Sequence, residues 1–280
     1  MTHNGLKYVV KQQTMRFLGL LLKHTNACDK KTPVFIIGCQ RSGTTMLDGI
    51  FRHSDQITAY GERFAALGDG WRLRPVGNIY YLISRSKTPI IEFKPLNDAQ
   101  NIDCILKAYR RAKVIWVYRN FLDVANSMVE KWGDLQIKQL QQIAIDKYSN
   151  RGVAALGERL SSKNRELAKK LSTQNPSAYD AAAYIWLIRN SLYFERQLDS
   201  NPNVMLCQYE DMVKEPEHCI QRIFNFIGAE FSKNYVADVR TSSIGKHKAP
   251  EIKTDLKVLC EDLAVKMKYQ YHFQLSSNKS

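Results

Sequence analysis

The sequence predicts an α/β fold with three layers, in which helices cover a central, mostly parallel sheet of about five strands. Short runs of β-branched and aromatic residues alternate along the chain with stretches whose apolar residues recur at helical spacing. Strands that alternate with helices favour a parallel sheet. No repeat, low-complexity tract or linker rich in Pro, Gly or Ser divides the 280 residues, so we expect a single domain over residues 1–280.

The first 30 residues are predicted to form a basic, amphipathic N-terminal segment. Between residues 5 and 24, apolar residues are mixed with four Lys and Arg residues. The longest apolar run, residues 17–22, is too short for a signal-peptide core or a membrane span. Two alternatives remain open for this segment. It is either a helix that rests on a membrane surface or a helix that packs against its own domain.

The first predicted strand, residues 34–37, leads into a loop with two glycines and then into a helix. The loop reads Gly38-Cys39-Gln40-Arg41-Ser42-Gly43-Thr44-Thr45. This is the context of a P-loop, in which glycines let the backbone wrap a phosphate and a helix N terminus presents free N–H groups. Thr44 stands where loops for nucleoside triphosphates have Lys, and the cation lies inside the loop, at Arg41. We therefore expect a 5′-phosphate site for a nucleotide with a short anionic tail; an ordinary strand–helix turn is the alternative.

The second and third predicted strands both lead directly to charged residues. Residues 56–60 precede Gly61-Glu62-Arg63, and residues 89–93 precede Lys94. Charged residues just past the carboxyl ends of parallel strands lie where open α/β sheets form their ligand crevice. Glu62 and Lys94 are therefore candidate site residues. Residues 64–88 lack a regular period and are predicted to be loop and short helix that line an acceptor pocket.

The fourth predicted strand, residues 113–118, ends in Arg119. A nucleoside triphosphatase usually has an Asp at this place, which helps to hold magnesium. Ser127 follows eight residues later, about two turns into the next helix. A forked cation and a nearby hydroxyl suit a second phosphate, separate from the loop. The alternative is a surface Arg and a Ser on a helix face.

The remaining elements complete the α/β alternation. The pattern predicts a helical insertion of two or three helices over residues 133–178. It predicts further helices over residues 98–110 and 180–198. Residues 203–209 predict the fifth strand, and residues 217–227 predict an amphipathic helix closed by Gly228. A last helix is predicted at about residues 254–268.

The composition is that of a soluble globular chain with excess positive charge. Its 41 Lys and Arg residues against 27 Asp and Glu give a formal net charge of +14. Such a charge favours anionic partners, among them a nucleotide, an acidic glycan, nucleic acid or an acidic membrane surface. The six cysteines lack C-x-x-C or metal-finger spacing, so we expect free thiols, a reducing cytoplasmic location and no bound metal.

Three motifs in this order resemble the sulfotransferases, which use the donor 3′-phosphoadenosine 5′-phosphosulfate. They are the loop that contains Arg41, the run Val-Tyr-Arg-Asn-Phe-Leu-Asp-Val-Ala-Asn-Ser around Arg119, and the Tyr-Glu-Asp segment that begins at Tyr209. Together they extend over residues 33–228. The loop has Arg where cytosolic members often have Lys, and the segment at Lys94 lacks their His. The resemblance is therefore closer to the tyrosylprotein, carbohydrate and bacterial branches.

The resemblance implies a role for each candidate residue. Glu62 would be the general base, while Lys94 and Arg41 would offset charge on the transferring sulfuryl group. The 5′-phosphosulfate would be wrapped by Arg41, Ser42, Gly43, Thr44 and Thr45. The 3′-phosphate and adenosine would contact Arg119, Ser127 and Tyr209, together with Ser243 and Lys246 of a basic loop near the C terminus. For that loop a solvated role is the alternative, and His53 is an alternative base.

The sequence therefore predicts a metal-independent enzyme that moves a sulfuryl group to a hydroxyl of a glycan, lipid, peptide or small metabolite and leaves adenosine 3′,5′-bisphosphate. Two other classes remain as alternatives. A nucleotide kinase with an altered loop is disfavoured by Thr44 and Arg119. A non-enzymatic polyanion-binding protein would fit the net charge, but no nucleic-acid motif is present and no nucleic-acid partner is expected. Peripheral membrane contact through residues 5–24 stays one of the two alternatives for the N-terminal segment. The sequence does not identify the acceptor or the oligomeric state.

Overall fold

The computed structural model describes residues 3–23, 25–63, 65–109, 111–146, 153–241, 245 and 248–277, and its central element is a five-stranded sheet. The strands are β1 (Thr32–Gly38), β2 (Ile57–Ala59), β3 (Ile90–Phe93), β4 (Lys113–Tyr118) and β5 (Val204–Gln208). Their order across the sheet is β2-β3-β1-β4-β5, and each adjacent pair is parallel. The predicted fold class and number of strands are confirmed.

Helices pack on both faces of the sheet. In chain order they are α1 (His3–Leu22), α2 (Asn26–Asp29), α3 (Thr44–Phe51), α4 (Val76–Arg85), α5 (Ile102–Ala108), α6 (Phe121–Trp132), α7 (Leu135–Ala144), α8 (Ser162–Thr173), α9 (Ala178–Glu195), α10 (Tyr209–Lys214), α11 (Pro216–Ile227) and α12 (Thr254–Ser277). Shorter 3₁₀ turns lie at Asp69–Trp71, Leu96–Asn101, Val153–Arg159, Leu198–Ser200 and Lys233–Val236.

Each face of the sheet has its own apolar core, because successive residues of a strand point to opposite faces. In β1, Phe35 and Ile37 belong to the cluster that α6, α9 and α12 cover. Val34 and Ile36 belong to the cluster that α3, α10 and α11 cover. Since both faces of a parallel sheet are buried, the strands read as continuous apolar runs in the sequence.

The strand order determines where a ligand can bind. From β1 the chain runs to one side through β2 and β3, and it then crosses to the other side for β4 and β5. The carboxyl ends of β1, β3 and β4 therefore meet at one edge of the sheet, beside the point where the topology switches. Open α/β sheets bind their ligands in this crevice.

Two predicted helices differ from the sequence expectations in extent. The helix predicted at about 254–268 continues to Ser277, because Tyr271 is buried and packs edge-on against Tyr118, with 6.3 Å between ring centroids. The segment predicted as one helix over 98–110 begins as a 3₁₀ turn, and α5 follows it. The predicted insertion contains α7 and α8, and α7 packs against α9.

The N-terminal segment is helical and contacts its own domain. Helix α1 lies against α4. One face of the helix therefore packs on its own domain, as one of the two alternatives predicts. Within the described residues, no helix has both the length and the apolar character that crossing a membrane requires.

Candidate active site

The loop between β1 and α3 needs both of its glycines. Gly38 has φ of 151°, and a Cβ there would overlap the Val117 carbonyl oxygen of the neighbouring strand β4. Gly43 precedes α3 with φ of 92°, and a Cβ there would overlap the ring of Tyr209. L-residues rarely adopt either conformation. The two glycines therefore let the loop pass close to β4 and close to α10.

The loop leaves polar groups available at the start of α3. The first N–H groups of a helix have no partner within the helix, and together with the helix dipole they favour an anion. The Ser42 hydroxyl is buried and has no hydrogen-bond partner among the described residues. A buried polar atom without a partner is costly unless a ligand or water satisfies it. The loop thus has the donor groups that an anion requires.

The second candidate anion site contacts the loop directly. Arg41 Nε donates a hydrogen bond to Ser127 Oγ at 2.9 Å, although 86 residues separate them in the chain. Arg119 Nη1 donates to the Arg41 carbonyl oxygen at 3.2 Å. The Arg119 guanidinium also lies over the ring of Tyr209, 4.6 Å from its centroid, in a cation–π contact. The structure therefore brings Arg41, Arg119, Ser127 and Tyr209 together.

The backbone at the end of β4 is fixed by buried side chains. Trp186 of α9 donates from its indole N–H to the Arg119 carbonyl oxygen at 2.9 Å. Glu210 accepts a hydrogen bond from the Asn120 N–H at 2.8 Å, and burial raises the pKa of this Glu. The Asn120 side chain in turn caps α6 by accepting from the Leu122 N–H at 2.9 Å. These bonds set the start of α6, and with it the position of Ser127.

The loop and the end of β4 enclose a cavity of about 280 Å³. Sequence reasoning missed three of its lining residues: Met46 on α3 and Asp123 and Glu130 on α6. Asp123 lies 3.5 Å from Arg119 Nη2 and also accepts from the Gly245 N–H at 3.3 Å. The lining is completed by Arg41, Gly43, Thr44, Thr45, Arg119, Ser127 and Tyr209.

Glu62 and Lys94 lie on the other side of the loop, where β2 and β3 end. Lys94 Nζ donates to Thr45 Oγ1 at 3.0 Å and is 3.4 Å from Glu62 Oε1. The Lys94 side chain is 3% exposed, whereas that of Glu62 is 41% exposed. The ammonium group therefore connects the start of α3 to a carboxylate that still faces solvent.

A buried carboxyl group beneath Glu62 was not predicted from the sequence. Glu92 in β3 is fully buried, and its Oε2 accepts a hydrogen bond from the Gly61 N–H at 2.9 Å. Burial, together with the nearby Asp48 carboxylate, raises the pKa of Glu92 to about 8; the Gly61 N–H, Lys94 and Arg52 oppose the rise. A mainly neutral Glu92 thus holds the turn that carries Glu62. An acidic residue inside an otherwise apolar strand was the signal available in the sequence.

Of the remaining candidate residues, His53 is described and lies away from this edge of the sheet. His53 is exposed just beyond the far end of α3, roughly 13 Å along the helix from Thr44. Ser243 and Lys246 lie outside the described residues. In the part of the chain that the structure describes, no group of three or more His, Cys, Asp or Glu residues could hold a metal ion. The six cysteines are free thiols.

Comparison with known proteins relates the chain to sulfotransferases. The family model described as "Sulfotransferase domain" matches residues 31–259. No curated protein matches the chain. The solved sulfotransferase domain from the curacin biosynthetic pathway is similar over 84% of this chain and 98% of its own, with 12% identity and a TM-score of 0.51. That likeness concerns the fold alone.

Two further solved structures have TM-scores just below 0.5. The sulfotransferase domain from the Synechococcus PCC 7002 olefin synthase has 15% identity and a TM-score of 0.49, and the match covers 84% of this chain and 94% of that domain. A sulfotransferase from Alicyclobacillus acidocaldarius has 16% identity and a TM-score of 0.48, over 85% of this chain and 95% of its own.

Proposed function

Since the chain belongs to the sulfotransferase family, we propose that it moves a sulfuryl group from 3′-phosphoadenosine 5′-phosphosulfate to an acceptor hydroxyl. The observation that carries the choice of donor is the cavity in which the loop after β1 meets Arg119 and Ser127. A nucleotide with anionic groups on both its 3′ and 5′ sides needs two neighbouring anion sites. The loop and the end of β4 offer cations and donor groups for two such sites in one cavity.

The residues present suit this donor. The N–H groups at the start of α3, Ser42 and Arg41 would hold the 5′-phosphosulfate, and Arg119 with Ser127 would hold the 3′-phosphate. Tyr209 and Met46 offer apolar surface to the base. When bound, the donor supplies the sulfuryl group and a phosphate leaving group. The proposal also includes Ser243 and Lys246, from the basic loop near the C terminus, as contacts of the 3′-phosphate.

The acceptor side of the proposal rests on Glu62 and Lys94. Glu62 accepts the proton of the attacking hydroxyl, for which its exposed carboxylate is accessible. Lys94 and Arg41 offset the negative charge that develops during in-line displacement. Because Lys94 is almost fully buried, its charge acts through a medium that screens less than water.

The acceptor is proposed as a hydroxyl compound, and an acidic glycan suits the net charge of +14. No metal takes part in the proposed reaction. The free thiols suit a reducing compartment, so a cytoplasmic location belongs to the same proposal. We treat residues 1–280 as one catalytic domain.

Replacement of Glu62 tests the proposed base. Labelled donor is mixed with a panel of phenolic, glycan and lipid hydroxyls, and transfer is measured for the wild type and for Glu62→Gln. Loss of a general base should lower the transfer rate about 10²-fold or more, while calorimetry should show unchanged affinity for adenosine 3′,5′-bisphosphate. Glu217→Gln is the matched control, since Glu217 is also an exposed carboxylate paired with a lysine, at 2.8 Å from Lys233. Undiminished transfer in Glu62→Gln would reject this residue as the base.

A further inference from the structure

Helix α1 is held against the domain by a close helix–helix contact. A Cβ at Gly19 would overlap the carbonyl group of Gly77 in α4, and a Cβ at Gly77 would overlap the carbonyl group of Arg16. Asn78 Nδ2 donates to the Gln12 carbonyl oxygen at 2.9 Å. One face of α1 is therefore already packed, and the opposite face is fixed toward the outside.

That outward face carries large apolar side chains beside the exposed polar residues Gln13 and Thr14, which is unusual for a surface helix. Val10, Phe17 and Leu21 are 57%, 64% and 63% exposed. Their spacing of seven and four residues places them on one side of the helix. Leu18 and Leu20 extend the same surface on its two flanks, since both are also exposed. Single exposed apolar residues are common, but a contiguous patch of this kind marks an interaction surface.

The charges around this face all have one sign. Residues 1–28 contain no Asp or Glu, and the first acidic residue of the chain is Asp29. Lys11 and Arg16 are exposed on α1, beside the apolar face. An apolar helix face with basic flanks is typical of helices that lie in the plane of a membrane interface.

The sign of the charge also separates a lipid surface from a second copy of the chain. Two α1 helices packed face to face would bring their basic residues together, and no acidic residue of the segment could compensate. An anionic bilayer supplies both an apolar layer and negative headgroups. With 20 residues, α1 is about 30 Å long and can lie flat on such a surface.

We propose that the outward face of α1 docks the protein on an anionic lipid surface, with Phe17 and Leu21 in the interfacial layer and Lys11 and Arg16 at the headgroups. The docking is independent of which donor the catalytic cavity binds. It would keep the enzyme at a membrane without a spanning helix.

Vesicle sedimentation tests this proposal on the full chain. Phosphatidylcholine vesicles with and without phosphatidylglycerol are compared at low and high salt. The wild type should bind the anionic vesicles and should be released by salt. The double variants Phe17→Ser/Leu21→Ser and Lys11→Glu/Arg16→Glu should each lose about tenfold or more of the affinity for anionic vesicles. The matched control is Val265→Ser/Tyr269→Ser on α12, where both residues are at least as exposed, at 71% and 73%; it should bind like the wild type.

Three outcomes would overturn the proposal. One is a wild type that does not bind anionic vesicles, and another is a control variant that loses as much binding as the α1 variants. The third is a dimer in analytical ultracentrifugation that Phe17→Ser/Leu21→Ser converts to monomer, which would assign the face to a second copy. Adenosine 3′,5′-bisphosphate binding reports separately on the catalytic cavity, and it should be equal in all these variants.

Discussion

At the residue scale, the proposed acceptor side of the site depends on Glu92. This residue joins β3 to the turn that carries Glu62, through the bond from the Gly61 N–H. The adjacent Asp48 forms an ion pair with Arg52 at 2.7 Å, and Arg52 also donates to the carbonyl oxygen of Ala59 at the end of β2. A second negative charge at this buried place is unfavourable, which is why Glu92 stays mainly protonated at neutral pH.

The raised pKa of Glu92 predicts a pH dependence of stability. Because this pKa is about 8 in the folded chain, against 4.5 for an ordinary Glu side chain in water, the folded chain binds the extra proton between these values. The free energy of unfolding should therefore fall as pH rises through this window, by at most about 1.4 kcal/mol per pH unit. Glu92→Gln keeps an acceptor for the Gly61 N–H but cannot ionise, so it should remove this fall.

Urea unfolding over a pH series measures the effect. As pH rises from about 4.5 to about 8, the free energy of unfolding of Glu92→Gln should increase relative to that of the wild type. Glu166→Gln changes an exposed carboxylate that pairs with Lys169, and it should leave the pH dependence as it is in the wild type. Parallel curves for Glu92→Gln and the wild type over this window would contradict a buried, protonated Glu92.

Residues of the site differ in how far the sequence could predict them. Arg41 and Arg119 could be placed together because parallel strands bring their carboxyl ends to one edge of the sheet. Met46 and Glu130 line the same cavity through the rotation of α3 and α6 about their axes, which is set by tertiary packing. Glu92 is hard to identify from the sequence because its neighbours on both sides are apolar and the segment has the pattern of an ordinary buried strand.

At the scale of elements, packing constrains the β1–α3 loop tightly. It passes between β4 and α10, and its backbone leaves space for no side chain at Gly38 or Gly43. The sequence predicted this loop well, since glycine spacing and the flanking apolar runs are local signals. The outward apolar face of α1 was less predictable: the sequence showed a basic amphipathic helix, but which face α4 would cover depended on the fold.

Two glycine-to-alanine substitutions, one at the start of α3 and one inside it, should have opposite effects on stability. Gly43→Ala places a Cβ against the Tyr209 ring at a φ of 92°, so it should lower stability by about 1–3 kcal/mol and weaken adenosine 3′,5′-bisphosphate binding about tenfold. Gly49→Ala lies inside α3, where a Cβ meets nothing within 4 Å, and it should raise stability by about 0.5–1 kcal/mol. Urea unfolding and calorimetry measure both quantities. A tolerated Gly43→Ala with unchanged affinity would contradict the close packing of the loop.

At the scale of the whole molecule, the sheet order produces the site. Because β1 lies between β3 and β4, the β1–α3 loop has Lys94 and Glu62 on one side and Arg119 and Ser127 on the other. The proposed donor cavity and the proposed acceptor side thus share one loop but use different strands. The alternation of strands and helices predicted the fold class, whereas the strand order, which decides these neighbours, came only from the structure.

Calorimetry with two nucleotides determines whether one cavity holds a nucleotide by two separate anion sites. Adenosine 3′,5′-bisphosphate and adenosine 5′-phosphate are titrated into the wild type, Arg119→Ala and the control Arg85→Ala, with a chelator present. The bisphosphate should bind the wild type without magnesium. Arg119→Ala should weaken the bisphosphate by roughly tenfold to a hundredfold, since charged hydrogen bonds contribute about 1.5–3 kcal/mol. It should weaken the 5′-phosphate much less, because that nucleotide has no 3′-phosphate. Equal loss of affinity for both nucleotides, or no loss for either, would rule out a separate 3′-phosphate site at Arg119.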